Sequence, residues 1–480
     1  LLLLFICTIY GTFGFASRTN PQLNVGASAA GGASIKAPGR YSAVSSSDVV
    51  VAEKPVADLG NERTAGIMSS TFSLSKGILG AGMLALPSGV AAFSDKPRAL
   101  LSASLILFGM GIMSAFSFSS IGRACDVTGS KSFNEAWGKL INKKSAVWLS
   151  FLIAFKTLFT CLTYSIVIGD SFSQIIQSFG VNPMIASRTN VILASTGFFI
   201  FPLCCQKTLE ALKYTSILGM IGTVYCPIFM LWRYLDGTYG PAGKFLASVP
   251  IDLQPSFNVR SGPQSSLLIF KLLAMLSTAY VAHYSAPIFL NELRNPTRER
   301  YNRFVNNGFG ASFLIMLATM IIGFLSFGGN SSGFVLNNYA VNDIFATVAR
   351  IAVGTGVLCG YPLIFTALRE GCFDLVGASK ETRNVFNVPF TASILGLVTA
   401  VALVVTNLGS VVSFSGALTG AVLIYIVPAL MNLSLLRKDI EENNNEVTTQ
   451  LRVGQLMNYF MLIFGALCSV VGTTIYLVGM

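Results

Sequence analysis

An apolar run over residues 67–92 carries side chains that an ordinary membrane helix does not need. It places Lys76 before the glycines Gly80 and Gly82, and Pro87 follows them. Glycine has no Cβ, so a ligand or a neighbouring backbone can come close to it. Irregular backbone at membrane depth is tolerated only where protein or a water-lined cavity satisfies its polar groups. The run therefore predicts a helix that is interrupted at a binding site.

A second interrupted run covers residues 265–290. It holds the polar residues Ser277, Tyr280 and His283, and then Pro287. If ten spans form two halves of five, the two interrupted runs open the two halves, and such a matched pair marks the substrate site of secondary transporters. A half-helix N-terminus offers N–H groups to a carboxylate, and freed carbonyls can hold a cation, so an amino acid zwitterion fits. Close helix packing through small residues is the alternative.

The position of Lys76 bears on which ion gradient drives transport. A lysine near the bilayer centre costs about 2.5–3.5 kcal/mol on insertion scales. Its ammonium either takes the place of a sodium ion and exchanges a proton, or snorkels to the inner interface. His283 is a candidate proton relay or a satisfied structural histidine. Asp170 is a candidate partner of a buried cation or a helix-end residue, and Lys156 and Lys271 are candidate snorkelling side chains.

The composition requires a membrane around these runs. Of 480 residues, 53% are apolar and only 11% are Asp, Glu, Lys or Arg, whereas soluble domains carry about 25% charged residues. The predicted fold is an all-α integral membrane bundle of about eleven transmembrane helices, with a 5+5 inverted-repeat transporter core in which helices 1 and 6 are broken. The apolar runs cover residues 67–92, 99–122, 147–178, 189–205, 214–235, 265–290, 304–327, 343–368, 388–406, 409–436 and 455–479.

Lysine and arginine set the orientation of the bundle. With the N-terminus in the cytosol, seventeen of them fall in inner loops and six in outer loops, as the positive-inside rule requires. The glycosylation sequon at Asn330 then lies outside. The net charge of +11 is spread between the apolar runs rather than clustered with aromatic residues. Nucleic acid is therefore excluded as a partner, and the lipid bilayer is the expected one.

Residues 1–66 are predicted to be a leader or a disordered segment, followed by a transmembrane transporter domain over residues 67–480. Residues 1–16 resemble the h-region of a signal peptide, and residues 17–47 contain Arg and Lys but no acidic residue, as in an organelle transit segment. An ordinary disordered tail is the alternative. A cleaved signal peptide would place the following segment outside, which conflicts with the charge count.

Metal sites, cofactors and enzymatic chemistry are not expected. The nine cysteines show no Cys-x-x-Cys spacing, and His283 is the single histidine. Neither a zinc site nor a histidine-based catalytic triad can be built from this set.

At these residues the chain resembles the amino acid/auxin permease family of amino acid transporters. Three motifs carry the resemblance, those of the first, third and sixth helices: Lys76-Gly77-x-x-Gly80-x-Gly82-x-Leu84-x-Leu86-Pro87, Tyr164–Asp170 and His283-x-x-x-Pro287. The resemblance implies eleven helices in the arrangement shared with amino acid antiporters and neurotransmitter:sodium symporters. It also implies a set of substrate contacts at Ser75, Gly77, Leu79, Gly80, Ala81, Gly82, Tyr164, Ser277 and Tyr280.

The predicted function is secondary active transport of small neutral amino acids by alternating access, with a proton rather than sodium as the coupling ion. In the sodium-coupled neutral branch of the family an asparagine is usual at position 76, whereas Lys76 resembles the proton-assisted branch. Spans 1 and 6 bind substrate, and the bundle rocks against spans 3, 4, 8 and 9. A membrane amino acid sensor and a sodium-coupled symporter are the main alternatives, with a channel or scaffold as a third. The expected location is a plasma membrane or an endomembrane.

Overall fold

The computed structural model describes residues 65–206, 212–258, 266–442 and 449–478, and within them the chain forms helices and loops, with β-pairing only in isolated bridges. The predicted leader lies outside these residues, except for its last two positions.

Ten spans of the described residues are long and apolar enough to cross a membrane, and one further helix is long enough to do so, against about eleven predicted. The first span is a pair of helices, Ile67–Ile78 and Ala81–Phe93, bent by 47°. The fifth is the helix Leu212–Leu235, whose 24 residues are long enough to cross a bilayer. The other nine are long and apolar enough to cross a membrane: Ala99–Thr128, Ala146–Ser178, Arg188–Cys205, Ser266–Glu292, Arg298–Phe327, Ile344–Leu375, Glu381–Val404, Leu408–Glu441 and Leu451–Leu477. We number them span 1 to span 11 in chain order.

Several spans extend beyond their apolar cores into the polar boundary. Span 7 begins at Arg298, six residues before the predicted start at residue 304, because Thr297 caps the helix by accepting a hydrogen bond from the Arg300 N–H at 3.3 Å. A short helix, Phe133–Leu140, connects spans 2 and 3, and Ser132 caps it in the same way. Span boundaries that are predicted from apolar residues alone leave out such polar helix ends.

Span 1 is interrupted where the glycines predicted a break. Its first helix ends at Ile78, Gly80 is extended with φ −87° and ψ −172°, and a 3-10 turn, Ala81–Ala85, leads into the helix Leu86–Phe93. Pro87 stands in the first turn of that helix, where its missing N–H has no helical acceptor to lose. The glycine and the proline thus both favour the break.

Span 6 is interrupted in the same manner. The helix Ile269–Ala279 ends before Tyr280, and a turn over His283–Ser285 leads into the helix Ala286–Glu292. Pro287 stands in the first turn of this second half, as Pro87 does in span 1. The predicted matched pair of broken spans is confirmed.

The remaining spans enclose these two. Span 3 packs along span 8, span 8 along span 5, and span 7 along the first half of span 1. Span 10 packs on the first half of span 6 so closely that a Cβ at Gly416 would fall 1.7 Å from the Ala274 carbonyl oxygen. Span 10 is π-helical over Gly416–Gly420 and again over Val422–Ile426, an irregularity that often occurs at functional sites.

Candidate functional site

The two breaks lie against each other. A Cβ at Gly82 would stand 3.7 Å from Thr278 Cγ2 and 3.9 Å from Ala279 Cα on span 6. It would also stand 3.9 Å from Val412 Cγ1 on span 10, and the Thr278 hydroxyl donates to the Val412 carbonyl at 2.7 Å. Spans 1, 6 and 10 therefore meet at Gly82.

The break in span 1 leaves backbone donors unused. Gly80 N–H donates to Ile78 O at 2.8 Å and Met83 N–H donates to Gly80 O at 3.2 Å. Within the described residues, the N–H groups of Ala81 and Gly82 have no acceptor. They open the half-helix Ala81–Phe93, and free donors at such an end bind anionic groups.

Open space lies beside the same break. A Cβ built on Gly77 or on Gly80 would meet no atom within 4 Å. Leu79 and Ala81, between and after these glycines, are only 4% and 5% exposed. The predicted contact segment thus presents glycine backbone to a space, while its larger side chains pack into the bundle.

Three of the predicted contact residues use their side chains elsewhere. The Ser75 hydroxyl donates to Gly308 O on span 7 at 3.2 Å, and the Ser277 hydroxyl donates to Leu273 O at 3.0 Å. The fully buried Tyr280 donates from its hydroxyl to Leu107 O on span 2 at 3.1 Å. These three hydroxyl groups thus donate to carbonyl groups of the protein.

Tyr164 stands apart from that group. It is half-buried on span 3, with its ring 6.2 Å from that of Tyr361 on span 8. A Cβ at Gly360 would lie 3.7 Å from its ring, and Tyr284 of span 6 is a close neighbour. No described residue hydrogen-bonds its hydroxyl, so this side chain stays available at the junction of spans 3 and 6.

The three predicted coupling residues occupy different environments. Lys76 is partly exposed and forms no hydrogen bond or ion pair with any described residue. His283 is fully buried, with Nε2 2.7 Å from Ser117 Oγ and 3.1 Å from Ser114 O on span 2. Lys76 lies in the last turn of the helix before the break of span 1, whereas His283 faces span 2.

Asp170 makes an ion pair far along span 3 from these residues. Arg188 donates to its Oδ1 at 2.7 Å and Asn337 to its Oδ2 at 3.0 Å. Arg188 also donates to Ala402 O at 2.9 Å, so the pair ties spans 3, 4 and 9 together. The buried cation that partners Asp170 is therefore Arg188.

A cavity of about 730 Å³ leads toward the junction. It runs along the second half of span 1, the first half of span 6 and the start of span 10, below the loop segments 252–253 and 329–333. Six of its lining residues mark these walls: Ser88, Lys271, Met275, Asn407, Ser410 and Ser413. The cavity lies on the side that the charge count assigns to the exterior.

The opposite end of the same two spans is tied together. Ala65 forms a parallel bridge with Leu293, in which Ala65 N–H donates to Glu292 O at 3.1 Å and Arg294 N–H donates to Ala65 O at 2.9 Å. The bridge joins the start of span 1 to the end of span 6. The described residues thus combine a cavity on the side assigned as outer with a backbone bridge on the side assigned as inner.

The sequence did not allow us to predict that span 10 forms a wall of the site or that Lys156 is buried. Lys156 cannot snorkel, because its side chain is 3% exposed and its ammonium lies 3.1 Å from Ser415 Oγ on span 10. The one available signal was the cluster of small residues over Gly416–Gly420, which permits close packing against span 6.

Comparison with known proteins agrees with this architecture. A family profile described as "Transmembrane amino acid transporter protein" matches residues 63–478. "Vacuolar amino acid transporter 5" of Schizosaccharomyces pombe is 24% identical over 411 residues, covering 85% of this chain and 93% of the relative. "Putative sodium-coupled neutral amino acid transporter 11" of Danio rerio is 23% identical over 411 residues, covering 85% and 87%.

The fold also has a counterpart among solved structures. The crystal structure of MhsT in complex with L-phenylalanine superposes with a TM-score of 0.51 at 12% identity, over 84% of this chain and 98% of that one. Because the family profile spans nearly all the described residues, the chain belongs to the family of transmembrane amino acid transporters.

Proposed function

We propose that the chain transports small neutral amino acids by alternating access and holds the substrate on the backbone of broken spans 1 and 6. The observation that carries this proposal is the pair of free N–H groups, on Ala81 and Gly82, beside the open space at Gly80. These donors suit the α-carboxylate that every amino acid shares.

The walls of the junction favour a small, uncharged side chain. Leu79, Ala81 and Val412 are apolar, and the hydroxyl of Thr278 is bonded to the Val412 carbonyl. No carboxylate of the described residues is bonded at the breaks, and a cationic substrate side chain would lose hydration there without a partner.

A proton is the proposed coupling ion. The ammonium of Lys76, at the break, repels a sodium ion and needs no cation of its own. The relatives include proteins named as sodium-coupled and proteins named as vacuolar transporters, so the gradient must be tested directly.

The decisive experiment is uptake by the purified protein in liposomes. A panel of radiolabelled amino acids is offered under an inward proton gradient with choline in place of sodium, and under a sodium gradient at equal pH. We expect accumulation of small neutral amino acids in the first condition. Binding of an amino acid without uptake in either condition would identify a sensor, and uptake only with sodium would identify a sodium symporter.

A further inference from the structure

Lys156 is a lysine buried in the middle of the bundle with one bonded partner. Its side chain is 3% exposed, and its ammonium donates to Ser415 Oγ at 3.1 Å. An ammonium has three N–H donors, and no described carboxylate lies within ion-pair distance of this one. Such burial without a counter-ion disfavours the charged form.

The partner of Lys156 belongs to the junction of the breaks. Ser415 is followed by Gly416, where a Cβ would stand 2.7 Å from Thr278 Oγ1. Thr278 in turn lies against Gly82 and bonds to Val412. A change in the charge of Lys156 therefore acts on the segment of span 10 that touches both broken spans.

The elements around Lys156 offer no substitute counter-ion. The turn Ala81–Ala85 and the segment 408–420, which both pack on span 3, contain no ionisable side chain. Each carboxylate on the other elements packed against span 3 is paired or exposed. Asp170 pairs with Arg188, Glu135 with Lys139, Glu370 and Asp374 with Arg383, and Glu381 is exposed.

The other ionisable groups of those elements also have their own partners or are not cationic. On span 8, Arg350 donates to the carbonyls of Leu336 and Tyr339, and Arg369 donates to Cys204 O at 2.9 Å. Tyr361 lies 3.1 Å from the Ser165 hydroxyl. The remaining groups on spans 3, 4 and 8 are phenols and thiols: Tyr164, Cys161, Cys204, Cys205, Cys359 and Cys372.

We propose that Lys156 is the proton-carrying residue of the transport cycle, resting on the proposed transport function. In the substrate-free step of this cycle the side chain is the neutral amine, which still donates an N–H to Ser415. When the substrate is loaded, the nitrogen lone pair takes a proton from water on the outer side and forms the third N–H bond of an ammonium. The proton returns to water on the inner side when substrate leaves.

This assignment differs from the prediction for Lys76. Lys76 is partly exposed and can exchange protons with water in the resting state, whereas a buried amine exchanges only when the bundle opens around it. Coupling requires that the proton is exchanged only when the bundle opens, because a proton must not cross the membrane without the substrate. Lys76 keeps its predicted role of excluding sodium.

The test separates exchange from net transport. Wild type, Lys156→Met, Ser415→Ala and the loop control Lys244→Met are placed in sodium-free liposomes. The probe is whichever of L-alanine, L-serine, L-glutamine and L-leucine the wild type exchanges best. Substrate-for-substrate exchange is measured at equal pH, accumulation under an inward proton gradient, and lumenal pH with a trapped dye.

We expect Lys156→Met to retain exchange within about twofold of wild type, to lose accumulation by about tenfold or more, and to lose the acidification of the lumen. Lys244→Met should match wild type. Ser415→Ala removes an acceptor of the ammonium, so half-maximal accumulation should move to lower pH while exchange persists. This second variant keeps the test decisive if Lys156→Met does not fold.

Three results with the variants would overturn the inference. One is wild-type accumulation and acidification in Lys156→Met. Another is equal loss of exchange and accumulation in a folded Lys156→Met, which would make the residue structural. The third is an unmoved pH midpoint in Ser415→Ala. A wild type that transports only with sodium would also overturn the inference about Lys156, but it would leave the proposed amino acid transport intact. A wild type that exchanges no amino acid would overturn both proposals.

Discussion

At the scale of single residues, the glycines of span 1 are the most specific determinants of the site. Gly80 has an extended backbone with φ −87°, which any residue can adopt, and a Cβ there meets no atom. Gly80→Val should therefore fold normally and fill the substrate space with its side chain. We expect a loss of substrate affinity of about tenfold or more, which corresponds to about 1.4 kcal/mol.

The matched control is Gly109→Val on span 2, where the added Cβ also meets nothing within 4 Å. Substrate-induced shifts in melting temperature of the purified variants report the affinity. Equal affinities for Gly80→Val and Gly109→Val would remove the first break from the site.

For two hydroxyl groups of span 6 we expect the opposite result: their removal should leave substrate affinity nearly unchanged. The hydroxyls of Ser277 and Tyr280 bond to Leu273 O and Leu107 O, away from the breaks. Tyr280→Phe should cost about 1 kcal/mol of stability by removing one buried hydrogen bond, and substrate affinity should change by less than about twofold. A tenfold weaker affinity in Ser277→Ala or Tyr280→Phe would show that the side chains turn toward the ligand.

At the scale of elements, span 10 holds the two broken spans in register. Gly416→Ala should prevent correct packing, because its Cβ would fall 1.7 Å from the Ala274 carbonyl oxygen and backbone cannot move away cheaply. Gly396→Ala on span 9 is the control, since its Cβ meets no atom. Size-exclusion after heating should show early aggregation of Gly416→Ala alone, and equal melting of the two variants would contradict the close approach.

The broken spans and span 10 show which features of the site could be predicted from the sequence. Both breaks were predictable, because Gly80 and the prolines Pro87 and Pro287 act on the backbone locally. Partners such as Leu107 for Tyr280, Ser117 for His283 and Arg188 for Asp170 depend on which helices pack together. Apolar periodicity does not specify those pairings, nor does it reveal that span 10 becomes π-helical.

At the scale of the whole molecule, a cavity on the outer side stands opposite a backbone bridge on the inner side. The cavity of about 730 Å³ reaches the outer halves of spans 1, 6 and 10, and the bridge between Ala65 and Leu293 joins the inner ends of spans 1 and 6. Alternating access requires the cavity on the outer side to close and the bridge between Ala65 and Leu293 to separate. The bridge is therefore a natural place to arrest the cycle.

A disulfide between Ala65→Cys and Leu293→Cys should lock the transporter in its outward-open form. Residues paired across a bridge have Cα atoms within the range of about 4.4–6.8 Å that a disulfide spans. Under oxidation the double variant should still bind substrate from outside but should lose uptake, because the inner ends of spans 1 and 6 cannot part. A reductant should restore uptake, and each single variant, given the same oxidant, should transport throughout. Full uptake by the oxidised and mass-verified double variant would mean that the inner ends of spans 1 and 6 stay together during transport, and the path of the substrate would then have to leave the bundle elsewhere.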